Sequence, residues 1–413
     1  MARIAIIGAG FQGLACAFHL MADGHDVTVF DPGGVASGAS FGNMGTFANY
    51  ACIPVNNPSV FRDAPRYLFS AQSPFRLRLG YLPQLLPWLA LFLRASLPGR
   101  SRRSAGDLAG LLARAGEGYR SILAEPILRD FVRPAEALYL YGSEAAFAKA
   151  QADLDFRARE GVPFETLAPG ALRDLEPGLA PIFARGVLFR GSWHLTDPAG
   201  FLRALAGLLA VRGLRLEPLA VEAIRPKDAS VTLLVGGTER SFDGVVLAAG
   251  ARARSLARQC GDDVPLDTER GYHVVFAGGR DLLSRPCGWA ERGFYMTPMQ
   301  DGLRVGGTVE LGGFTDERSQ PLLDLLAYSA KRAVPGLGEA GSPWLGFRPT
   351  LPDGLPVIGR ATASRRVIYA FGHQHLGLTL AGLTGQVVAD LWADRAPDLD
   401  LACCAPDRFA RAA

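Results

Sequence analysis

Residues 3–31 leave this chain little freedom of fold. Arg3–Ile7 is a short apolar run read as a buried parallel strand, Phe11–Ala22 reads as a helix, and His25–Phe30 as a second strand closed by Asp31. Between the first strand and the helix lies Gly8-Ala9-Gly10-Phe11-Gln12-Gly13, a GxGxxG loop. Gly8 permits the tight turn, Gly10 lets the backbone approach a pyrophosphate, and Gly13 lets helix and strand pack closely. The helix start offers free N–H groups and partial positive charge to phosphates. Asp31, eighteen positions beyond Gly13, is placed to accept hydrogen bonds from ribose hydroxyls. Loop, helix, second strand and terminal acid together predict a dinucleotide site.

The rest of the composition bounds the setting. At 413 residues the chain is too long for one compact core and suits two domains. Hydrophobic residues at 49% and charged residues at 20% are the balance of a folded protein. The net charge of +3 calls for no nucleic-acid partner. Cys16, Cys52, Cys260, Cys287, Cys403 and Cys404 show no zinc-type spacing, so free thiols and no metal are expected. The apolar N-terminus is broken by the three loop glycines and reads as a strand rather than a signal peptide, which sets a cytoplasmic expectation. Tyr81–Leu97 (YLPQLLPWLALFLRASL) is too short to span a bilayer and is interrupted by Pro83 and Pro87. With Arg94 inside it and Arg100, Arg102 and Arg103 after it, two readings stand. One is a helix buried in the second domain; the other is a peripheral contact with the inner face of the membrane.

Further along, residues 60–105 lack clean periodicity and 108–159 reads as helical. Asp197–Gly213 is a complete helix, capped by Thr196 or Asp197, with Pro198 in its first turn and Gly213 as its stop. Leu214–Ile224, Ser230–Val235 and Gly244–Gly250 read as strands, 263–343 as an antiparallel sheet, Ile368–Phe371 as a last core strand and Leu376–Trp392 as the closing helix. Strands of nucleotide-fold character therefore occur near the start, middle and end. The expected class is α/β with α+β: a discontinuous Rossmann-like domain over 1–75, 192–262 and 344–413, and a mixed or antiparallel-sheet substrate domain over 76–191 and 263–343.

The small-residue stretch SGASFGNMG (Ser37–Gly45) suits a backbone running under a bulky ring and favours FAD over a nicotinamide cofactor. Here a resemblance enters. The opening loop, SFGNMG from Ser40, LAAG from Leu247, GFRPTLPDGLPVIG from Gly346 and GHQHLGLT from Gly372 resemble the D-amino-acid dehydrogenase branch of the glycine oxidase/sarcosine oxidase (DAO) flavoproteins. The resemblance runs from residue 1 to about 395. It implies non-covalent FAD, held by Gly8, Gly10, Gly13, Asp31, Ser40, Asn43, Met44, Gly45, Gly250, Gly372, His373, Leu376, Gly377 and Thr379. No cysteine lies in the Arg348 motif, where the sarcosine oxidase branch carries its covalent link.

The resemblance also implies site residues. Arg348 matches the arginine that clamps the substrate carboxylate, a task for which a planar fork of permanent charge is suited. Tyr272, in ERGYH from Glu269, matches a KGY-type strand whose tyrosine reaches the substrate pocket; a half-buried strand tyrosine is the alternative. Gln374 and His375 replace a glycine and a threonine of the commoner GHGTLGWT, and Leu378 a tryptophan, which makes His375 a candidate for contact with substrate or flavin. His194 is a weaker candidate, and Asp353, His19 and His25 are read as structural. The implied reaction is oxidative deamination of a D-amino acid by hydride transfer from the α-carbon to flavin N5, with electrons passed to a quinone or other acceptor. Oxidation of a cyclic or secondary amine such as D-proline, hydroxy-D-proline or sarcosine is the near rival. Further off stand a nicotinamide-dependent dehydrogenase and a non-catalytic flavin electron relay.

Overall fold

The computed structural model describes residues 1–61, 70 and 73–412; residues 62–69, 71 and 72, within the irregular 60–105 stretch, and residue 413 lie outside the described residues. Strands Arg215–Glu217, Asp26–Phe30, Arg3–Ile7, Gly244–Leu247 and Ser364–Phe371 form a parallel sheet in that order, and Val357–Ala361 adds an antiparallel edge. Their near-continuous apolar character follows from burial on both sides. One face of Ile4, Ile6, Val27, Val29, Val246 and Ile368 packs on helices including Phe11–Ala22, Pro98–Ile122, Pro198–Val211 and Gly377–Trp392. The other face meets a three-stranded sheet through Ile224, Val231, Leu233 and Val235. The first strand pairs with residues 26–30 on one side and 244–247 on the other, so the strand order reverses beside Gly8, where such sheets open a ligand crevice.

A second, mixed sheet is built around the ten-residue strand Asp267–Phe276, with Gly302–Gly306, Phe294–Met299, Cys287–Trp289, Ala137–Tyr141 and Arg185–Phe189 extending it. Trp344–Thr350 pairs with Asp267–Phe276 over seven residues. Residues 344–350 therefore stand with the substrate sheet, not with the nucleotide segment to which the sequence assigned them. The converse holds for Pro98–Ile122: assigned to the substrate domain, it packs against the nucleotide-domain helices. The helical reading of 108–159 is corrected too. Strands Val132–Arg133 and Ala137–Tyr141 interrupt it before the helix Glu144–Arg159, because ALYLY alternates for a sheet. The 197–213 reading holds closely: Asp197 caps Pro198–Val211 by accepting from Gly200 N at 2.8 Å.

Two helix contacts hold the nucleotide layer together. A Cβ on Gly118 would lie 2.1 Å from the Gly382 carbonyl carbon, and one on Gly385 would lie 2.5 Å from Ala15 O. Pro98–Ile122, Gly377–Trp392 and Phe11–Ala22 thus touch backbone to backbone, and the last two both begin at the crevice. Gly118→Ala is expected to destabilise the protein by about 1–3 kcal/mol through forced separation of the helices. Gly110→Ala, exposed on the same helix with open space at its Cβ, is expected to stabilise by up to about 1 kcal/mol. Denaturant unfolding of both variants checks this, and equal effects would refute the contact argument.

Candidate active site

The crevice is made of backbone held in shapes that side chains would obstruct. Gly8 has φ +112°, and a Cβ there would meet Ala248 O at 2.4 Å; one on Gly13 would meet Gly8 O at 1.8 Å. Gly10 brings no side chain to the start of Phe11–Ala22, and Ser40 Oγ accepts from Phe11 N at 3.2 Å. Asp31 accepts from Ala9 N at 2.8 Å and from Gly33 N at 3.0 Å, which sets a half-buried carboxylate at the end of its strand beside the loop. Gln12 donates to Gly377 O at 2.7 Å and joins the two helix starts. These residues fit FAD: the 8–13 backbone and helix start for the pyrophosphate, Asp31 for the ribose, and the 40–45 and 372–377 loops for the ring system.

Those two loops are pinned from both domains. Arg304, buried in the second sheet, donates to Asn43 O at 2.8 Å and Phe41 O at 3.3 Å, and His273 Nδ1 lies 3.2 Å from Gly42 O. Asn43 Oδ1 accepts from Gly45 N at 2.8 Å, and Gly45 itself has φ +71°. Met44 lies against Gly306, where a Cβ would come within 2.9 Å of its sulfur. Thr379 Oγ1 accepts from Ala48 N at 3.0 Å, and His373 Nε2 lies 2.9 Å from Thr384 Oγ1. Leu376 is core. The side chains of Thr379, His373 and Leu376 thus hold backbone in place. Gly250, with φ +55° and open space at its Cβ, and Gly372, with φ +83°, shape the strand ends on either side.

The alternation of the long strand decides which residues share the site. Glu269, Gly271 and His273 pair with Arg348, Gly346 and Trp344, so all six project from one face, the face against the 40–45 loop. On that face Arg348 lies over Gly271, where a Cβ would sit 2.5 Å from its guanidinium carbon. Arg348 Nη1 donates to Thr308 O at 3.1 Å. Among the described residues no carboxylate stands within ion-pair distance of it, in contrast to Arg270 and Arg304. Its cross-strand neighbour Glu269 is buried, accepts from Thr350 Oγ1 at 3.0 Å, and has its pKa raised by desolvation against the opposing pull of Arg348.

Tyr272 is on the other face. It pairs with Leu345 and packs with Val274, Phe276 and Leu303, while its hydroxyl donates to Glu310, which also holds buried Arg270. The expectation that Tyr272 joins Arg348 at substrate is corrected by this parity. Tyr295 occupies the site face instead, in the row Tyr139, Gly288, Tyr295, Gly306, His273 and Trp344 across five strand pairings. Its signal in the sequence was its even spacing with Thr297 and Met299, the latter packed on Gly45. Nothing in the sequence said which parity faces the loop.

Gln374 is also turned away. It takes the place of a glycine and keeps the left-handed backbone, φ +47°, that glycine favours. Its buried amide donates to Thr350 Oγ1 at 2.8 Å and Leu351 O at 3.2 Å, which offsets that strain and leaves it unavailable to substrate. His375 is exposed, yet surrounding protein and then the charge of Arg348 push its pKa down to about 4, so the ring is neutral at neutral pH. His194, buried on the strand beside Thr46–Phe47, is pushed down to about 4 by burial. Asp353 accepts from Arg408 at 2.8 Å, His19 Nε2 lies 3.3 Å from Gly118 O, and His25 accepts from Ala2 N at 3.3 Å, all structural contacts.

Fold and site define a two-domain dinucleotide-binding oxidoreductase with an arginine facing the cofactor loops. A model described as FAD dependent oxidoreductase (DAO) matches residues 3–391, and the chain belongs to that family. D-amino-acid oxidase of Bradyrhizobium diazoefficiens is 33% identical, over 98% of this chain and 99% of the relative. D-amino acid dehydrogenase of Sinorhizobium medicae is 30% identical, over 98% and 100%. Glycine oxidase from Geobacillus kaustophilus superposes with a TM-score of 0.78 at 25% identity, covering 99% of each chain. L-proline dehydrogenase from P. horikoshii shares the fold, with a TM-score of 0.76 at 18% identity over 100% of this chain and 98% of that one. The protein is an FAD-dependent oxidoreductase homologous to D-amino-acid oxidases and dehydrogenases.

Burial pushes His194 down to about 4, and His273 and His373 to about 3. Each is lower than the unfolded value of about 6.5, so between about pH 4 and 6.5 the unfolded chain binds more protons. Their contribution to stability is full above about pH 6.5 and falls with pH below it. Glu269 and Asp267, raised by burial, act in the opposite sense, so a variant comparison is decisive. His273→Gln is expected to flatten the decline in Tm between pH 7.5 and 5. An unchanged slope would show that His273 is not held neutral by the fold.

Proposed function

We propose that the protein oxidatively deaminates D-amino acids, with Arg348 as the carboxylate clamp. The observation that carries this is an arginine on the cofactor-facing side of the sheet that, among the described residues, has no carboxylate in ion-pair contact and one hydrogen bond, to Thr308 O. A bound carboxylate would accept two parallel hydrogen bonds from its free edge. Glu269 beside it tempers the positive charge without neutralising it by contact, and Thr350 and Gln374 hold that carboxylate in place. Neutral His375 adds no charge that would repel an amine or compete for the carboxylate. Tyr295 and Trp344 bound the same face and favour a compact substrate. When bound, non-covalently, FAD supplies the two-electron acceptor for hydride from the α-carbon. The imine released hydrolyses to an oxo acid and ammonia, and the electrons pass to a quinone or other acceptor. The D configuration follows the D-amino-acid activities for which the relatives at 33% and 30% identity are named.

The cyclic-amine rival needs polar partners for a ring hydroxyl, and Gln374 and His375 are the candidates in the 372–377 loop. With the Gln374 amide committed to Thr350 and Leu351, only His375 supports it. Among the described residues no helix is long and apolar enough to cross a membrane.

Arg348→Ala is expected to raise KM for a D-amino acid by roughly a hundredfold or more, the loss of a charge-assisted pair, while FAD stays bound. Arg348→Lys should recover only part of this, since an ammonium cannot pair both oxygens. Unchanged KM in the alanine variant would remove the clamp. Anaerobic bleaching of the flavin by linear D-amino acids is expected; bleaching only by ring or N-methyl amines would move the assignment to the rival.

A further inference from the structure

The helix Leu82–Ala95 hangs from the edge of the substrate sheet. Leu85 and Trp88 are buried against Leu311, on a strand paired with Asp267–Phe276, and Tyr81 reaches Asp267 at 3.1 Å. Its opposite side is open and apolar. Leu86 is 54% exposed, Leu93 38% and Leu97 48%, and Pro83 and Ala90 are exposed between them. Seven-residue and four-residue spacings put these on one stripe of the helix. Leu79, 76% exposed, continues the stripe at the start. Single exposed leucines are ordinary, but a row of four over about 25 Å on one element is an interaction surface.

The charge around the stripe identifies what covers it. Between Asp63 and Asp107 the sequence holds seven arginines and no acidic residue, and of these Arg78 is paired with Glu310 and Glu317. Arg100, Arg102 and Arg103 are exposed in the first turns of the following helix, directly beyond Leu97. A second copy of this chain placed on the stripe would bring like charges together with no acid in the segment to pair them. A lipid surface presents the opposite sign, with apolar depth beneath.

We propose that the 79–103 surface lies in the interface of a bilayer containing anionic phospholipid, with the leucines inserted among acyl chains and the arginines on phosphate. Apolar burial and basic residues near the surface then act together, as in other interfacial helices. The contact sets the Arg348 sheet beside the membrane, where a lipid-soluble acceptor is available. It does not rest on the substrate assignment.

The test is sedimentation of the FAD-loaded protein with phosphatidylcholine vesicles made with or without phosphatidylglycerol. The protein is expected to pellet with the anionic vesicles and to be released in part by salt. Leu86→Gln/Leu93→Gln should lower the bound fraction roughly tenfold. Arg100→Ser/Arg102→Ser/Arg103→Ser should do so by at least roughly tenfold at low salt and abolish the salt dependence. Anaerobic bleaching by substrate should be unchanged in both variants, which separates this proposal from the reading of the active site. Protein left in the supernatant, or equal binding to neutral and anionic vesicles with both variants unaffected, would overturn it. So would a dimer, seen by light scattering, that the leucine variant dissolves without any lipid binding.

Discussion

The pairing of Trp344–Thr350 with Asp267–Phe276 is the contact on which the two halves of the molecule depend. The chain leaves that pairing through the Asp353 turn, enters the nucleotide sheet as Val357–Ala361 and Ser364–Phe371, and emerges at the Gly372–Gly377 loop. A single run of about thirty residues therefore carries Arg348 in one sheet and the second helix start in the other. Hydrogen bonds from Gln374 to Thr350 and from Thr350 to Glu269 close the run on itself. Displacement of either sheet would move Arg348 relative to the 40–45 and 372–377 loops. Such positional coupling matters because a small misplacement of a reacting group is costly in rate.

The long strand serves two chemistries by alternation. Its site face carries Glu269 and His273 beside Arg348; its core face carries Arg270 and Tyr272 into a network with Glu310. Arg270 is fully buried, so removing Glu310 would leave an uncompensated charge, a loss of roughly 3–5 kcal/mol in such settings. The charge preserved at residue 270 thus belongs to the architecture beneath the site. The Arg270 fork also donates to Thr315 O and Glu317 O and so anchors the segment that precedes the helix Gln320–Ala333.

Strain in the cofactor loops is borne by glycine wherever backbone must approach backbone. Gly8, Gly45 and Gly372 occupy left-handed conformations, each with a neighbour within 2.5 Å of an added Cβ. Gln374 is the exception, a side chain in left-handed backbone, and its two buried hydrogen bonds supply the compensation that glycine does not need.

How much of this was legible in the sequence depends on range. The strand–loop–helix–strand opening, the Asp197 cap and the closing helix are encoded in local patterns of apolar spacing, glycine and capping residues, and they stand in the structure as read. The Arg348 motif is also local, and resemblance carried its role. What a local pattern does not encode is pairing between strands far apart in sequence. A strand's period of two states that Tyr272 and His273 face opposite ways, but which of them meets the Ser40–Gly45 loop is decided by packing more than two hundred residues away. The same long-range pairing moved 344–350 into the substrate sheet, turned Gln374 inward and placed Tyr295 on the site face. Sequence alone determined the cofactor class and singled out Arg348 as the candidate clamp; the tertiary structure decided which side chains share their side of the sheet, because only burial selects between two faces that the chain presents alike.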